Sequence, residues 1–164
     1  MSVTFDTREL KAFQLTIQRM GGIPAKVATK AAGKGATVVR REVRSRIPVG
    51  ETGELKRGIK RKGERSRIKG KKVYDLMFDP AKNSIFQKPV KHPGEAGSTS
   101  TKGGHAYYPA SMQYGFLTRS KGGGYSYVPG YQFMDKGTEA AAAPASQAVI
   151  DTAVKELQNE WLKK

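Results

Sequence analysis

Apolar positions recur at helical spacing toward both ends of this chain and give way to short, strand-like runs in its middle. Leu10, Phe13, Ile17 and Met20 lie three or four apart, the period of one helix face. Asp6 is placed to cap the first turn, Glu9 completes a capping box, and Phe5 with Leu10 forms a hydrophobic staple. Gly21-Gly22 ends the run, so the pattern predicts a helix over about residues 7–20. A second helix opens near Ile23-Pro24, where proline suits a first turn. It runs to about Arg46 with a stripe of Ala28, Ala32, Gly35 or Ala36, Val39, Val43 and Ile47. Small residues on that stripe admit a close backbone neighbour. Gly33 and Gly35 each cost up to ~1 kcal/mol in a helix interior, which packing must offset.

Pro48 closes the second helix, and Thr52-Gly53-Glu54-Leu55-Lys56 reads as a capped helical turn. Ile59-Lys60-Arg61-Lys62-Gly63 and Val73-Tyr74-Asp75-Leu76-Met77-Phe78 then read as the strands of a hairpin, joined by a strongly basic connection and stopped by Asp79-Pro80. Residues 80–105 hold three prolines (80, 89 and 93), four glycines and the run Ser98-Thr99-Ser100-Thr101, a composition expected of a long loop. A second glycine-rich stretch at 117–128 interrupts an aromatic region. Ile150, Val154, Leu157 and Trp161 mark one face of a final helix that either begins or kinks at Pro144. The expected architecture is α+β: N-terminal helices and a C-terminal helix packed on a small, mainly antiparallel β-sheet. Residues 1–164 form one domain in this reading, with 80–105 and 117–128 as long glycine-rich loops or insertions.

Charge sharpens the picture. The net charge is +16, and residues 40–72 alone, with 14 basic and 4 acidic side chains, carry +10 of it. Such density favours an acidic protein face or a polyanion as partner. The residues placed to meet it are Lys56, Arg57, Lys60, Arg61, Lys62, Arg65, Arg67, Lys69, Lys71 and Lys72. There is no cysteine, which removes disulfides, thiolate catalysis and cysteine-based zinc sites, and suits assembly in a reducing cytoplasm. No apolar run approaches the ~20 residues of a bilayer span, and the start lacks the layout of a signal peptide.

Chemistry is sparse. His92 and His105 lie thirteen apart with only Glu95 nearby, a poor metal or acid–base pair. The segment Gly94 to Gly103 has the composition of a phosphate loop but lacks its Gly-Lys-Ser/Thr ending and its strand-to-helix setting. Neither a catalytic constellation nor a cofactor site is expected. The tyrosines at 107, 108, 114, 125, 127 and 131 suit an interface or a sheet core, or stacking on nucleic-acid bases. The first is favoured, because they fall in a different segment from the charge peak.

Two longer signatures go beyond composition. One is Arg46-Ile47-Pro48-Val49-Gly50-Glu51-Thr52-Gly53-Glu54-Leu55-Lys56-Arg57-Gly58-Ile59 at the end of the long helix. The other is Tyr107-Tyr108-Pro109-Ala110-Ser111-Met112-Gln113-Tyr114-Gly115, followed by Pro129-Gly130-Tyr131-Gln132-Phe133-Met134 and the last helix. Together they resemble the tail-completion or minor tail-component family of lambda-like long-tailed bacteriophages. Pro48, Thr52, Gly53, Leu55, Ile59, Tyr108, Gly115 and Phe133 are the structural positions the resemblance carries over. Gln113 stands where that family usually has glutamate, and Gly58 where it has serine. The resemblance implies a non-enzymatic virion protein, made in the host cytoplasm, with no cofactor and no membrane. It implies a homo-oligomeric ring, hexameric or twelve-fold, at the head-tail junction. Expected neighbours are portal or adaptor proteins and tail-tube or tail-terminator proteins, with non-specific DNA contact in the lumen. The rival reading is a basic nucleic-acid-binding protein.

Overall fold

The computed structural model describes residues 25–65, 68, 70–89, 105–120 and 122–162, so the helix expected over 7–20 lies outside the described residues. In chain order the elements are α1 (Ala25–Arg46), α2 (Glu54–Arg57), β1 (Ile59–Gly63), β2 (Tyr74–Phe78) and a 3-10 turn (Pro80–Lys82). There follow α3 (Asn83–Phe86), β3 (Gln87–Pro89), β4 (His105–Tyr107), α4 (Tyr108–Tyr114), β5 (Gly115–Arg119), β6 (Tyr125–Pro129) and α5 (Phe133–Leu162). The class is α+β, as expected. The strands form three separate two-stranded antiparallel ladders, β1–β2, β3–β4 and β5–β6, where one sheet was anticipated. Helical turns between the ladders keep their edges apart. Pro89 and Pro129, with no N–H to donate, sit at strand ends.

Helices α1 and α5 form the frame and run antiparallel. Near one end of the pair the Lys30 ammonium bonds the Glu156 carboxylate at 2.6 Å; towards the other, Val43 lies against Gly137. The buried positions repeat every fourth residue on both: Val27, Ala31, Gly35 and Val43 on α1, and Phe133, Gly137, Ala141, Ala145 and Ala153 on α5. Glycine lets the backbones meet. A Cβ at Gly35 would lie 2.5 Å from Val149 Cγ2, and one at Gly137 would lie 2.7 Å from the Val43 Cα. Gly35, Val43 and Ile47 of the expected stripe are buried, whereas in the first two turns the buried positions are Val27 and Ala31, one before the expected Ala28 and Ala32. On α5, Ile150 is half-buried and Val154 is 40 % exposed, while Leu157 of the same expected face packs on the smaller core. Helix α5 starts at Phe133 and runs through Pro144 without a break.

The main core lies where α1 ends. Val43, Ile47, Leu55, Ile59 and Phe133 are buried together, with Leu76, Phe78, Tyr108 and Met112 packed against them. Phe78 makes edge-to-face contacts with Phe86, Tyr107 and Phe133 at centroid distances of 5.6, 6.5 and 6.2 Å, a geometry the ring quadrupoles favour. A smaller core at the far end of the helix pair joins Val27, Ala31 and Ala153 with Val149 and Leu157.

Both stretches read as glycine-rich loops hold regular structure among their described residues, and 90–104 lie outside them. Asp79 accepts from the Ala81 N–H and caps the 3-10 turn, which passes into α3 and delivers Phe86 to the core at 1 % exposure. Residues 87–89 then pair with 105–107 in register Gln87↔Tyr107. In 117–128 the strands β5 and β6 pair from Gly115↔Pro129 to Arg119↔Tyr125, so only the glycine-rich tip is a turn.

Candidate assembly surfaces

The two sequence signatures converge in space. Leu55 and Ile59 from the first meet Tyr108 and Phe133 from the second in the main core. Helix α1 stops before Pro48, and the chain turns with Gly53 in the left-handed region at φ 62°. The Thr52 hydroxyl accepts from the Glu54 N–H at 3.5 Å. Glu54 accepts from Lys82 at 2.5 Å and Arg57 at 3.1 Å, and these hydrogen bonds, Lys82 first, hold its carboxyl below the ordinary value. Gly115 ends α4 at φ 93°, a region that side chains rarely adopt.

Gln113 joins the second signature to α5. It is 4 % exposed, its Oε1 accepts from the Met134 N–H at 2.9 Å, and its Nε2 donates to Asp135 Oδ2 at 2.8 Å. The side chain thus satisfies one of the free amides that begin every helix. Backbone bonds from Tyr131 N to Met112 O and from Gln132 N to Gln113 O complete the joint.

Of the ten basic residues singled out, the eight described make unlike contacts. Arg61 lies on the face of β1 that meets α1: its guanidinium bonds the Gly33 carbonyl and Thr37 Oγ1 and sits 5.7 Å from the centre of the Tyr74 ring. Lys72 bonds the Glu64 carbonyl and also approaches that ring. Arg57 pairs with Glu54, and Lys60 with Asp79 at 3.2 Å. The Asp79 carboxyl is held below its ordinary value first by the Ala81 amide, then by Lys60. Lys56 is half-buried, while Lys62, Arg65 and Lys71 are exposed. Arg67 and Lys69 lie outside the described residues. Arg40 and Arg44, which the sequence reading counted in the charge but did not single out, add a second feature. By helical spacing they share a face with Gly33 and Thr37, and both Nε atoms are buried without a hydrogen-bond partner among the described residues. The cleft between α1 and the β1–β2 hairpin is polar, lined by Thr29, Lys30, Lys34, Arg61 and Tyr74 among others.

The aromatic region, whose tyrosines the sequence assigned to an interface or a sheet core, holds an exposed surface on a hairpin that the sequence did not reveal. Of its tyrosines, Tyr107 and Tyr108 are half-buried, and Tyr107 packs on Phe78 and Phe86. Tyr114, Tyr125, Tyr127 and Tyr131 are between 48 and 67 % exposed. The β5–β6 hairpin bares apolar groups on both faces: Leu117, Tyr125 and Tyr127 on one, Phe116 and Val128 on the other. The signal was present, as apolar runs flank Ser120 to Gly124, but the glycines were read as an insertion.

No group of histidine, cysteine or acidic side chains that could hold a metal occurs among the described residues, and none of their helices is long and apolar enough to cross a membrane. Residues 11–108 match the family described as "Bacteriophage HK97-gp10, putative tail-component". Neither the curated proteins nor the solved structures give a significant match.

Proposed function

Because the chain belongs to the HK97-gp10-like family of bacteriophage tail components, we propose that it is a structural virion protein that turns over no substrate. In this reading its copies close into a ring at the head-tail junction and complete the tail, joining the portal side to the tail tube. A ring needs a heterologous interface, in which one face of a subunit meets a different face of its neighbour. The observation that carries the reading is that two chemically unlike surfaces stand on different elements of one small subunit. The β5–β6 hairpin is apolar and exposed on both faces. The β1–β2 hairpin presents Lys62, Arg65 and Lys71 outward. The first suits a neighbouring copy, and the second suits an acidic face of the portal or tail proteins, or the DNA that threads the lumen.

The test is complementation. Particles made without this chain should accumulate as separate heads and tails, and adding the purified protein should join them; cryo-electron microscopy should then place it as a ring at the junction. Joined, infectious particles formed without the chain would overturn the reading. A nucleic-acid-binding role is the second reading, favoured by the outward lysines and arginine. Phosphate contacts release counterions, so that binding weakens steeply with salt. Sub-micromolar affinity for DNA at physiological salt would favour this rival; weak binding abolished by modest salt fits loose contact within a lumen.

A further inference from the structure

Resting on the ring reading, we infer that the β5–β6 hairpin of one copy docks on the outer face of helix α5 of a second copy. Two observations on separate elements meet in this pairing. A two-stranded hairpin standing alone is marginally stable in water, and this one, beyond its junction with α4, packs little against its own body. Seven large side chains of Tyr114–Tyr131 are between 37 and 67 % exposed. At roughly 150–250 Å² for each buried aromatic, they leave on the order of 600–700 Å² of surface open over the hairpin's two faces, about half of it on the face of Leu117, Tyr125 and Tyr127 that one helix can cover.

Helix α5 supplies the complementary face. Small apolar residues on the outward side of a helix leave surface that a partner can cover. Between Lys136 and Lys155 its charged residues are Glu139 and Asp151 only, in a chain of net charge +16. One side packs on α1; the other exposes Ala140, Ala143, Pro144, Gln147 and Val154. These small groups form a shallow surface on which large rings can lie. The charges also match: Arg119 and Lys121 are the charged residues of Tyr114–Tyr131, against Glu139 and Asp151 on the helix. Since hairpin and helix face are different surfaces of the same chain, the contact repeats head to tail and can close a ring.

The absence of cysteine gives a clean background for the test. Copies carrying Leu117→Cys and copies carrying Ala143→Cys are co-expressed, assembled into particles and mildly oxidised. A disulfide-linked dimer is expected from the mixture and from neither variant alone. A dimer from Leu117→Cys alone would mean that hairpins meet each other, and would overturn the pairing. No dimer from the mixture, in particles whose images keep the ring, would also overturn it while leaving the ring reading intact. Particles that contain the chain but no ring would sink both. Leu117→Lys, on an exposed strand, should keep the melting temperature of the isolated protein and lower incorporation about ten-fold or more, as loss of a central interface anchor does. Full incorporation of Leu117→Lys would count against the contact.

Discussion

At Gly58 a Cβ would run into the ring of Phe86, so the absence of a side chain there is what admits Phe86 to the core. The sequence comparison flagged Gly58 only as a departure from serine, because its partner lay hidden in a segment read as a loop. Gln113 is a parallel case with a sharper consequence. Its amide donates to Asp135 and accepts from Met134, which a carboxylate cannot do at once. Gln113→Glu would set two carboxylates within about 3 Å of each other in a buried joint, a repulsion that raises the pKa of the pair. The variant should lose about 2–3 kcal/mol near neutral pH. Its folded pKa then exceeds the unfolded one, so the deficit should shrink as pH falls and the shared proton returns. Thermal melts of both proteins across pH check the sign.

Among the elements, the helix pair separates what periodicity can reveal from what it cannot. Both helices, the β1–β2 hairpin and its stop at Asp79 were legible from spacing and turn residues. The packed face was legible only in part: Gly35, Val43, Ile47 and Leu157 lie on it as expected, but alanine occurs on nearly every side of α5, and Ile150 and Val154 drew attention to its flank. Close backbone approach rewards the smallest residues, so the buried stripe is the least hydrophobic in appearance. Two glycines on this frame should respond oppositely to alanine. At Gly137 the new methyl group would press on the Val43 backbone, and overpacking of about 1–3 kcal/mol outweighs the ~1 kcal/mol gain in helix propensity. At Gly33 the nearest atom is Tyr74 Oη at 3.4 Å, an ordinary contact, so the propensity gain should prevail. Chemical denaturation should show Gly137→Ala destabilised and Gly33→Ala unchanged or stabilised. The candidate surfaces were less legible than the fold. Charge density located the basic segment, yet only the three-dimensional pairing shows that Arg61 and Lys72 are spent on internal contacts while Lys62, Arg65 and Lys71 point away.

For the whole molecule, excess positive charge dominates. With 30 basic against 14 acidic residues, like-charge repulsion outnumbers the exposed ion pairs, each worth little. Added salt shortens the Debye length to about 10 Å at 0.1 M and screens both, so the net effect should be a higher melting temperature in salt. Acid should act the other way. Glu54 and Asp79 have folded pKa values held below ordinary values of 4.5 and 3.8. Their contribution is therefore present above those values and lost as pH falls through the folded ones, just as repulsion grows. Calorimetry over pH and salt should show both trends, and Glu54→Gln should flatten the acid limb.

Pro144 gives the long helix a weak joint. Lacking an N–H, it leaves the Ala140 carbonyl without its helical donor, on the length of α5 that separates the aromatic core around Phe133 from the lighter cluster around Ala153. The molecule thus resembles a pillar built in two storeys, with a heavy base and a slender upper floor that share one helix. Backbone amides beyond the joint should exchange with heavy water sooner than those below it. Strain from a neighbour pulling on the upper storey would be absorbed at that seam, leaving the foundation undisturbed.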